Sequence, residues 1–182
     1  VDPLFVAVQY AMDRFKFMPE LQKELDTKDV VLLDRYVFSN IAFQCAKMKD
    51  EQERKDLAFF IREFEFNFLG LPYPDLNVFF DVPIDIVEKR LAPRVDEGRA
   101  YLEGKQDIHE ADINFQELVR QEYVKNMTDT ANCLIVKCAR EYGNPYEPKW
   151  NVLSPEDLFE SYKKELNYIL KLHRIFPTLN EE

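Results

Sequence analysis

The chain has 182 residues, of which 46% are hydrophobic and 32% charged, and this indicates one globular domain with a substantial core. The formal net charge of −10 argues against a general nucleic-acid binder, which would carry a basic stripe. No apolar run approaches the roughly 20 residues that a membrane span requires, so a membrane protein is not predicted either.

The first predicted element is a helix over residues 3–17. One of its faces is apolar, with Leu4, Val8, Ala11, Met12 and Phe15 at helical spacing. Tyr10 and Arg14 are four residues apart and therefore share another face. Pro19 is expected to begin a second, short polar helix that runs to about Lys28.

A short apolar run, Val30 to Leu33, predicts a strand over residues 30–34 that is buried on both faces of a parallel sheet. It ends in Asp34 and Arg35. In open α/β sheets, ligands bind at the carboxyl ends of strands. A carboxylate there can hold a metal ion or its water, and an arginine can grip phosphate oxygens with two hydrogen bonds.

Polar side chains follow this predicted strand at helical spacing, at Ser39, Asn40 and Gln44, with the flat apolar ring of Phe43 beside them. Together with Asp34 and Arg35, the pattern favours a site for a small phosphorylated ligand. The alternative is a buried salt bridge at a strand end, followed by a capped helix.

Asp50 is predicted to cap a helix over residues 51–69, and Gly70 to end it. Its apolar residues cover more than one stripe: Leu57, Phe59, Phe60, Ile61, Phe64, Phe66, Phe68 and Leu69. Such a helix packs against the sheet on one side and against something else on the other. A partner subunit and deep burial within one chain are equally compatible with this pattern.

The remaining predicted elements are a strand (76–82), a short helix (84–91), a surface loop (92–108), a helix (111–127), a strand (133–138), a Pro- and Tyr-rich loop (141–153) and a helix (154–172). Alternation of strands and helices is typical of an α/β fold with a doubly wound parallel sheet and helices on both faces. Three strands are predicted for it, at 30–34, 76–82 and 133–138.

Four motifs in order resemble the thymidylate kinase family and cover most of residues 1 to 140. They are Tyr10-Ala11-Met12-Asp13-Arg14; Asp34-Arg35-Tyr36 with Ser39-Asn40-Ile41-Ala42-Phe43-Gln44; Leu71-Pro72-Tyr73-Pro74-Asp75-Leu76 leading into Val78-Phe79-Phe80-Asp81-Val82; and Asp107-Ile108-His109-Glu110 near Phe115-Gln116.

The resemblance implies a single P-loop nucleoside-monophosphate-kinase-like domain over residues 1–182. It implies transfer of the γ-phosphoryl group of ATP to thymidine monophosphate (dTMP), with Mg²⁺, by a cytoplasmic homodimer in dTTP synthesis. Two alternatives stay open. One is a deoxynucleoside kinase, whose acceptor is a neutral nucleoside, and the other is a non-catalytic chain that binds a nucleotide or a partner.

The resemblance also implies roles for individual residues. Tyr10 would stack on the thymine ring, and Arg14 would bond its carbonyl edge. Asn40 and Gln44 would also read the base, while Phe43 would pack on the sugar and disfavour a 2′-hydroxyl. At the phosphate end, Arg35 would hold the acceptor phosphate and Asp34 would orient the metal's water or that phosphate.

The loop over residues 92–108 resembles the lid that closes over phosphates in this family, although its mixed charge also fits an ordinary solvated loop. Its cations Arg94, Arg99 and Lys105 would neutralise developing charge. Asp107 and His109 would contact the substrate, and His109 stands where the family commonly has tyrosine.

The family's phosphate-binding loop, G-x-x-x-x-G-K-[ST], does not occur in this sequence, and none of its four glycines begins such a loop. The opening at Val1 corresponds to the middle of the family pattern. We therefore expect a preceding strand-loop-helix segment of about 30 residues or more. Its strand would lie between 30–34 and 76–82.

The three cysteines, Cys45, Cys133 and Cys138, are odd in number and lack the spacing of a metal site. They are predicted to be buried thiols in a reducing cytoplasm.

Overall fold

The computed structural model describes residues 1–89, 113–128, 130, 132–144 and 147–172. Helices predominate up to Phe68, and the four strands of the described residues follow it. The elements are α1 (Pro3–Thr27), α2 (Val37–Cys45), α3 (Glu51–Arg62) continued by a π-helix (Glu63–Phe68), β1 (Asn77–Asp81), α4 (Ile113–Met127), β2 (Cys133–Lys137), β3 (Ala139–Asn144), β4 (Glu147–Val152) and α5 (Pro155–Leu172). A short helical stretch over 84–89 follows β1.

Helix α1 is one helix of 25 residues, so the predicted break before Pro19 is wrong. Its start is capped by Asp2, whose Oδ1 accepts a hydrogen bond from the Leu4 N–H at 2.8 Å. A proline inside a helix removes one backbone hydrogen bond, which usually ends or kinks the helix. Here the flanking turns are held by packing, because Met18 lies against the core and Leu21 is buried.

Helix α2 is the centre of the molecule. Six of its nine residues are buried, which suits a helix with apolar groups on several sides. Val37, Ile41 and Cys45 pack into one core cluster with side chains of α1 and α3. On another side, Ala42 joins a second cluster with Val119 of α4. The stretch that follows Asp34 and Arg35 is therefore fixed by three helices.

The predicted helix over 51–69 is confirmed as helical structure through Phe68. Asp50 caps it as predicted, since its Oδ1 accepts hydrogen bonds from two backbone N–H groups of the first turn. The last turn widens into a π-helix, a feature that often marks functional sites. Gly70 ends the helix with φ of 70°, a left-handed conformation that favours glycine.

Strands β1 and β2 pair in parallel, with Asn77 opposite Cys133 and Asp81 opposite Lys137. This confirms the predicted strands over 76–82 and 133–138. The predicted strand over 30–34 is wrong, because residues 30–36 are irregular and Leu32 is 90% exposed. A strand exists only with a ladder partner, and in the described part of the chain β1 pairs with β2 alone.

The fold is therefore α/β and rich in helix, and the parallel sheet in the described residues has two strands. A doubly wound sheet, which the alternation of elements predicted, is not seen there.

A second, antiparallel sheet was not predicted from the sequence. Residues 141–153 were expected to be a loop, yet β3 and β4 form an antiparallel hairpin, from Ala139 opposite Val152 to Asn144 opposite Glu147. A hairpin needs only a neighbouring segment as its partner, so the Pro and Tyr content did not prevent it.

Helix α5 begins as predicted. The Ser154 Oγ accepts a hydrogen bond from the Asp157 N–H at 3.1 Å, which satisfies one open donor of the first turn. Its Ile169 packs with Leu134 and Val136 of β2 and covers one face of the parallel sheet.

Two of the three cysteines, Cys45 and Cys138, are buried as predicted, and Cys133 is half-buried. Burial raises the pKa of the Cys45 thiol to about 12. Across the described ranges, no helix is both long and apolar enough to cross a membrane.

Candidate active site

A strained turn precedes α2. Arg35 has φ of 68° and is the one non-glycine residue with positive φ in the described part of the chain. Such a conformation costs on the order of 1–3 kcal/mol and persists only where the surroundings enforce it. The next residue supplies an anchor, because the Tyr36 hydroxyl donates to the Pro72 carbonyl oxygen at 3.0 Å. The Tyr36 ring also lies against Phe66, with centroids 6.2 Å apart.

The Arg35 side chain lies over the ring of Phe43, with its guanidinium carbon 5.2 Å from the ring centroid. Phe43 is held in turn by an edge contact with Phe115 of α4. Arg35 and Asp34 are both exposed. The start of α2 therefore presents an exposed cation and an exposed carboxylate beside an aromatic face. A guanidinium held in this way suits two-pronged binding of a phosphate.

Tyr123 of α4 supports this corner and was not predicted from the sequence. It shares a hydrogen bond with Ser39, and burial raises the pKa of its phenol. Its ring stacks on Phe79 of β1, with centroids 4.6 Å apart. It therefore links the start of α2 to the parallel sheet. A tyrosine in an amphipathic helix gives no sequence signal for this role.

At the other end of the predicted site, Arg14 and Asn40 meet at Glu65 of the π-helix. Arg14 donates two hydrogen bonds to the Glu65 carboxylate, Nε to Oε2 and Nη2 to Oε1, both at 2.6 Å. The Asn40 amide Nδ2 donates to the same Oε1 at 2.8 Å and to the Ala7 carbonyl oxygen at 3.0 Å. The Glu65 side chain is completely buried. Burial, and then the charge of Glu65, raise the pKa of Tyr36 to about 12.

Glu65 was missed in the sequence, although a signal existed. It follows Leu57 and Ile61 at four-residue spacing, and both of these are buried core residues. An acid on that buried face requires a cationic partner, and Arg14 provides it.

The other two predicted base-reading residues are placed differently. Tyr10 lies one turn before Arg14 on α1 and is 55% exposed. Gln44 is buried, and its Oε1 accepts a hydrogen bond from Lys47 Nζ at 3.1 Å. Burial lowers the pKa of Lys47. The structure thus joins Arg14 with Asn40, and Arg35 with Phe43, while Gln44 bonds to Lys47.

The predicted lid over 92–108 lies outside the described residues. So do the candidate residues assigned to it or beside it: Arg94, Arg99, Lys105, Asp107 and His109. Their roles stay predictions.

Asp81, at the carboxyl end of β1, is buried and paired with two cations. Arg120 donates to it from Nε at 2.5 Å and from Nη2 at 3.2 Å, and Lys137 forms a second ion pair. Burial acts to raise the pKa of Asp81, but the hydrogen bonds and charges of both partners lower it overall. This strand-end acid is therefore neutralised within the protein, whereas the exposed Asp34 is accessible to a ligand.

Comparison with known proteins points to one family. The family model described as thymidylate kinase matches residues 1–144. The thymidylate kinases of two strains of Mycobacterium tuberculosis are each 34% identical over 114 residues, which cover 62% of this chain and 50% of theirs. The probable thymidylate kinase 1 of Saccharolobus solfataricus is 33% identical over 90 residues, covering 50% of this chain and 42% of its own. The chain thus spans about half the length of the curated relatives it matches, and it belongs to the thymidylate kinase family.

Proposed function

We propose that the protein carrying this chain transfers the γ-phosphoryl group of ATP to dTMP and produces the diphosphate, in the synthesis of dTTP. The observation that carries the proposal is the strained Arg35, held over Phe43 at the start of α2. Arg35 lies within the Asp-Arg-Tyr motif and within the range that matches the family. The names of the bacterial and archaeal relatives support the same activity.

At the phosphate end, Arg35 would bind the acceptor phosphate, since it is exposed and presents a planar set of donors. Asp34 would hold Mg²⁺ through a water or directly. Magnesium is usually bound by one or two carboxylates together with substrate phosphates, and one exposed carboxylate fits that requirement. When bound, the ion would neutralise charge on the transferring phosphoryl group.

At the base end, Arg14 and Asn40 would read the pyrimidine, because their bonds to Glu65 leave Arg14 donors and the Asn40 Oδ1 acceptor unused. Tyr10 would stack on the ring from its exposed position on α1, and Phe43 would pack on the sugar. Gln44 also belongs to the predicted set. Its hydrogen bond to Lys47 implies a supporting role behind the base rather than direct contact.

We further propose a single domain with a doubly wound sheet for the protein that carries this chain, which is called the full-length protein below. Residues 30–34 are irregular and largely exposed, and on β1 Val78 and Phe80 are 40% and 48% exposed. A strand inserted between this segment and β1 would give each a ladder partner, and helices on the wider sheet would cover Val78 and Phe80. In a P-loop kinase, that strand leads into the phosphate-binding loop, whose backbone N–H groups and lysine cradle the donor phosphates.

A homodimer is proposed through the aromatic face at the end of α3. Phe60, Phe64 and Phe68 form a stack with centroids 5.5 and 5.4 Å apart, and Phe68 is 77% exposed. The neighbouring Phe59 is 67% exposed. Aromatic side chains in such a patch are typical of an interface. We also propose a cytoplasmic location, which the resemblance to the family implied.

The activity is tested with two proteins, residues 1–182 alone and a version in which a strand-loop-helix segment with the phosphate-binding loop precedes Val1. Each is incubated with ATP, Mg²⁺ and either dTMP or thymidine, and the products are separated by chromatography. We expect the diphosphate from the longer protein with dTMP, and no useful rate from residues 1–182. Product from thymidine alone would favour a deoxynucleoside kinase. Binding of dTMP without any transfer would favour the non-catalytic chain.

A further inference from the structure

We propose that Glu65 is a positioning residue that sets which hydrogen-bonding edge of a pyrimidine base the site accepts. The inference rests on the proposed function, because it concerns the nucleotide that the same site binds. Glu65 itself is assigned no ligand contact, because both of its carboxylate oxygens already accept hydrogen bonds from Arg14 or Asn40 and its side chain is completely buried. It acts through Arg14 and Asn40.

The first effect is on Arg14. Its Nε and Nη2 groups both donate to the Glu65 carboxylate at 2.6 Å, and this fixes the plane of the guanidinium. A guanidinium has five N–H donors in a rigid fork, and three of them are not used by this pair. The Arg14 side chain is 22% exposed, whereas the acid behind it is inaccessible. Arg14 therefore offers donors on the side away from Glu65.

The second effect is on Asn40, whose residue is 4% exposed. Both protons of its amide nitrogen are used, one by the Ala7 carbonyl oxygen and one by Glu65 Oε1. Rotating the amide by half a turn would place its oxygen against these two acceptors, so only one orientation is stable. In that orientation the Oδ1 atom is buried and has no hydrogen-bond partner in the described structure. A buried acceptor without a partner is unfavourable until a donor reaches it.

Together these effects give the candidate base-binding end of the site donors from Arg14 and an acceptor from Asn40. Thymine and uracil match this pattern, because each has a carbonyl oxygen next to a ring N–H. Cytosine has the reverse pattern, an amino group next to a bare ring nitrogen. Glu65 would thus favour dTMP over deoxycytidine monophosphate by fixing its two neighbours.

The test measures binding of dTMP and deoxycytidine monophosphate by calorimetry, without ATP, in the full-length protein. In Glu65→Gln the amide presents one acceptor oxygen and a new donor, so Arg14 and Asn40 lose their fixed orientation. We expect the preference for dTMP to fall by about tenfold or more. The matched control is Glu63→Gln on the same π-helix, where the exposed carboxylate accepts a hydrogen bond from the Asn67 amide at 2.8 Å and has no hydrogen bond to Arg14 or Asn40 among the described residues. The preference of Glu63→Gln for dTMP over deoxycytidine monophosphate should be unchanged.

A second variant, Glu65→Asp, guards against loss of folding, because it keeps the buried negative charge opposite Arg14. Its shorter side chain cannot hold both partners, so the preference should again fall. If either folded variant weakens both nucleotides equally and leaves their ratio unchanged, Glu65 is merely structural and the inference is overturned. A changed ratio in a protein that transfers no phosphoryl group would uphold the inference and refute the proposed activity. An unchanged ratio in a protein that does transfer the phosphoryl group would overturn the inference and support the proposed activity.

Discussion

Arg14 of α1 and Glu65 of the π-helix form a two-pronged ion pair between residues 51 positions apart, with both hydrogen bonds at 2.6 Å. The acid is completely buried and the arginine is 22% exposed, so one partner anchors while the other is accessible. Removing one member of a buried pair typically costs about 3–5 kcal/mol, because the other charge stays buried and unpaired. The same ion pair therefore stabilises the fold and holds Arg14 at the candidate base-binding end of the site.

The first prediction concerns Arg14→Ala in the full-length protein. Binding of dTMP and of uridine monophosphate should both weaken, with their ratio unchanged, because the two bases share the carbonyl edge assigned to Arg14. Stability should also fall, since Glu65 loses its partner. Calorimetry and denaturant unfolding measure the two effects, and Lys16→Ala, an exposed position on α1, is the control. Unchanged binding of both nucleotides would remove Arg14 from the site.

The second prediction concerns Arg35→Ala in the full-length protein, because no useful rate is expected from residues 1–182 alone. Turnover should be abolished with little loss of stability, because the side chain is exposed and its assigned role is contact with the acceptor phosphate. The steady-state rate and the melting temperature are the measurements. Arg140→Ala, an exposed arginine on β3, should leave both unchanged. A near-normal rate in Arg35→Ala would contradict the phosphate assignment.

The third prediction is a pH dependence of stability that arises from Asp81. Its pKa is lowered in the folded state by Arg120 and Lys137. The carboxylate therefore stabilises the fold above its unfolded pKa of about 3.9, and this stability is lost as the pH falls through the lower folded value. Asp81→Asn should destabilise the protein by about 3 kcal/mol at pH 7, and the difference from the unsubstituted protein should shrink below about pH 4.

Denaturant unfolding of both proteins from pH 3 to pH 7 measures this difference in stability. The range includes the ordinary aspartate pKa of about 3.9. Asp85→Asn, an exposed acid on the helical stretch after β1, should change stability by less than about 0.5 kcal/mol at every pH. A difference between Asp81→Asn and the unsubstituted protein that stays constant with pH would rule out the carboxylate charge as its origin.

The fourth prediction concerns assembly. Phe68→Glu places a charge in the exposed aromatic stack and should shift a homodimer toward monomer, because a charge is costly to bury at an interface. Sedimentation velocity at several concentrations measures the shift. Tyr168→Glu, at a 63% exposed position on α5, should leave the assembly unchanged. Dimers that persist in Phe68→Glu would place the interface elsewhere.

Several elements could be predicted from the sequence because their signals are local. The caps at Asp50 and Ser154 satisfy backbone groups within three residues of themselves, so their neighbours suffice to identify them. The strands β1 and β2 were predicted from their apolar runs. The motif around Asp34 and Arg35 indicated the family, and the family match over residues 1–144 confirms it.

Other features depended on partners that are distant in the sequence or are decided by pairing. Residues 30–34 have the composition of a strand but not the structure of one, because a strand requires a ladder partner. Strands β3 and β4 form a hairpin in the segment whose composition indicated a loop, because each strand pairs with the segment adjacent to it in the sequence. Glu65 gained its place from Arg14, 51 residues away, and that contact exists only after α1 and the π-helix have packed around α2. The sequence by itself thus determined the capped helices, the two paired strands and the family, while the tertiary structure decided which charged groups are buried together.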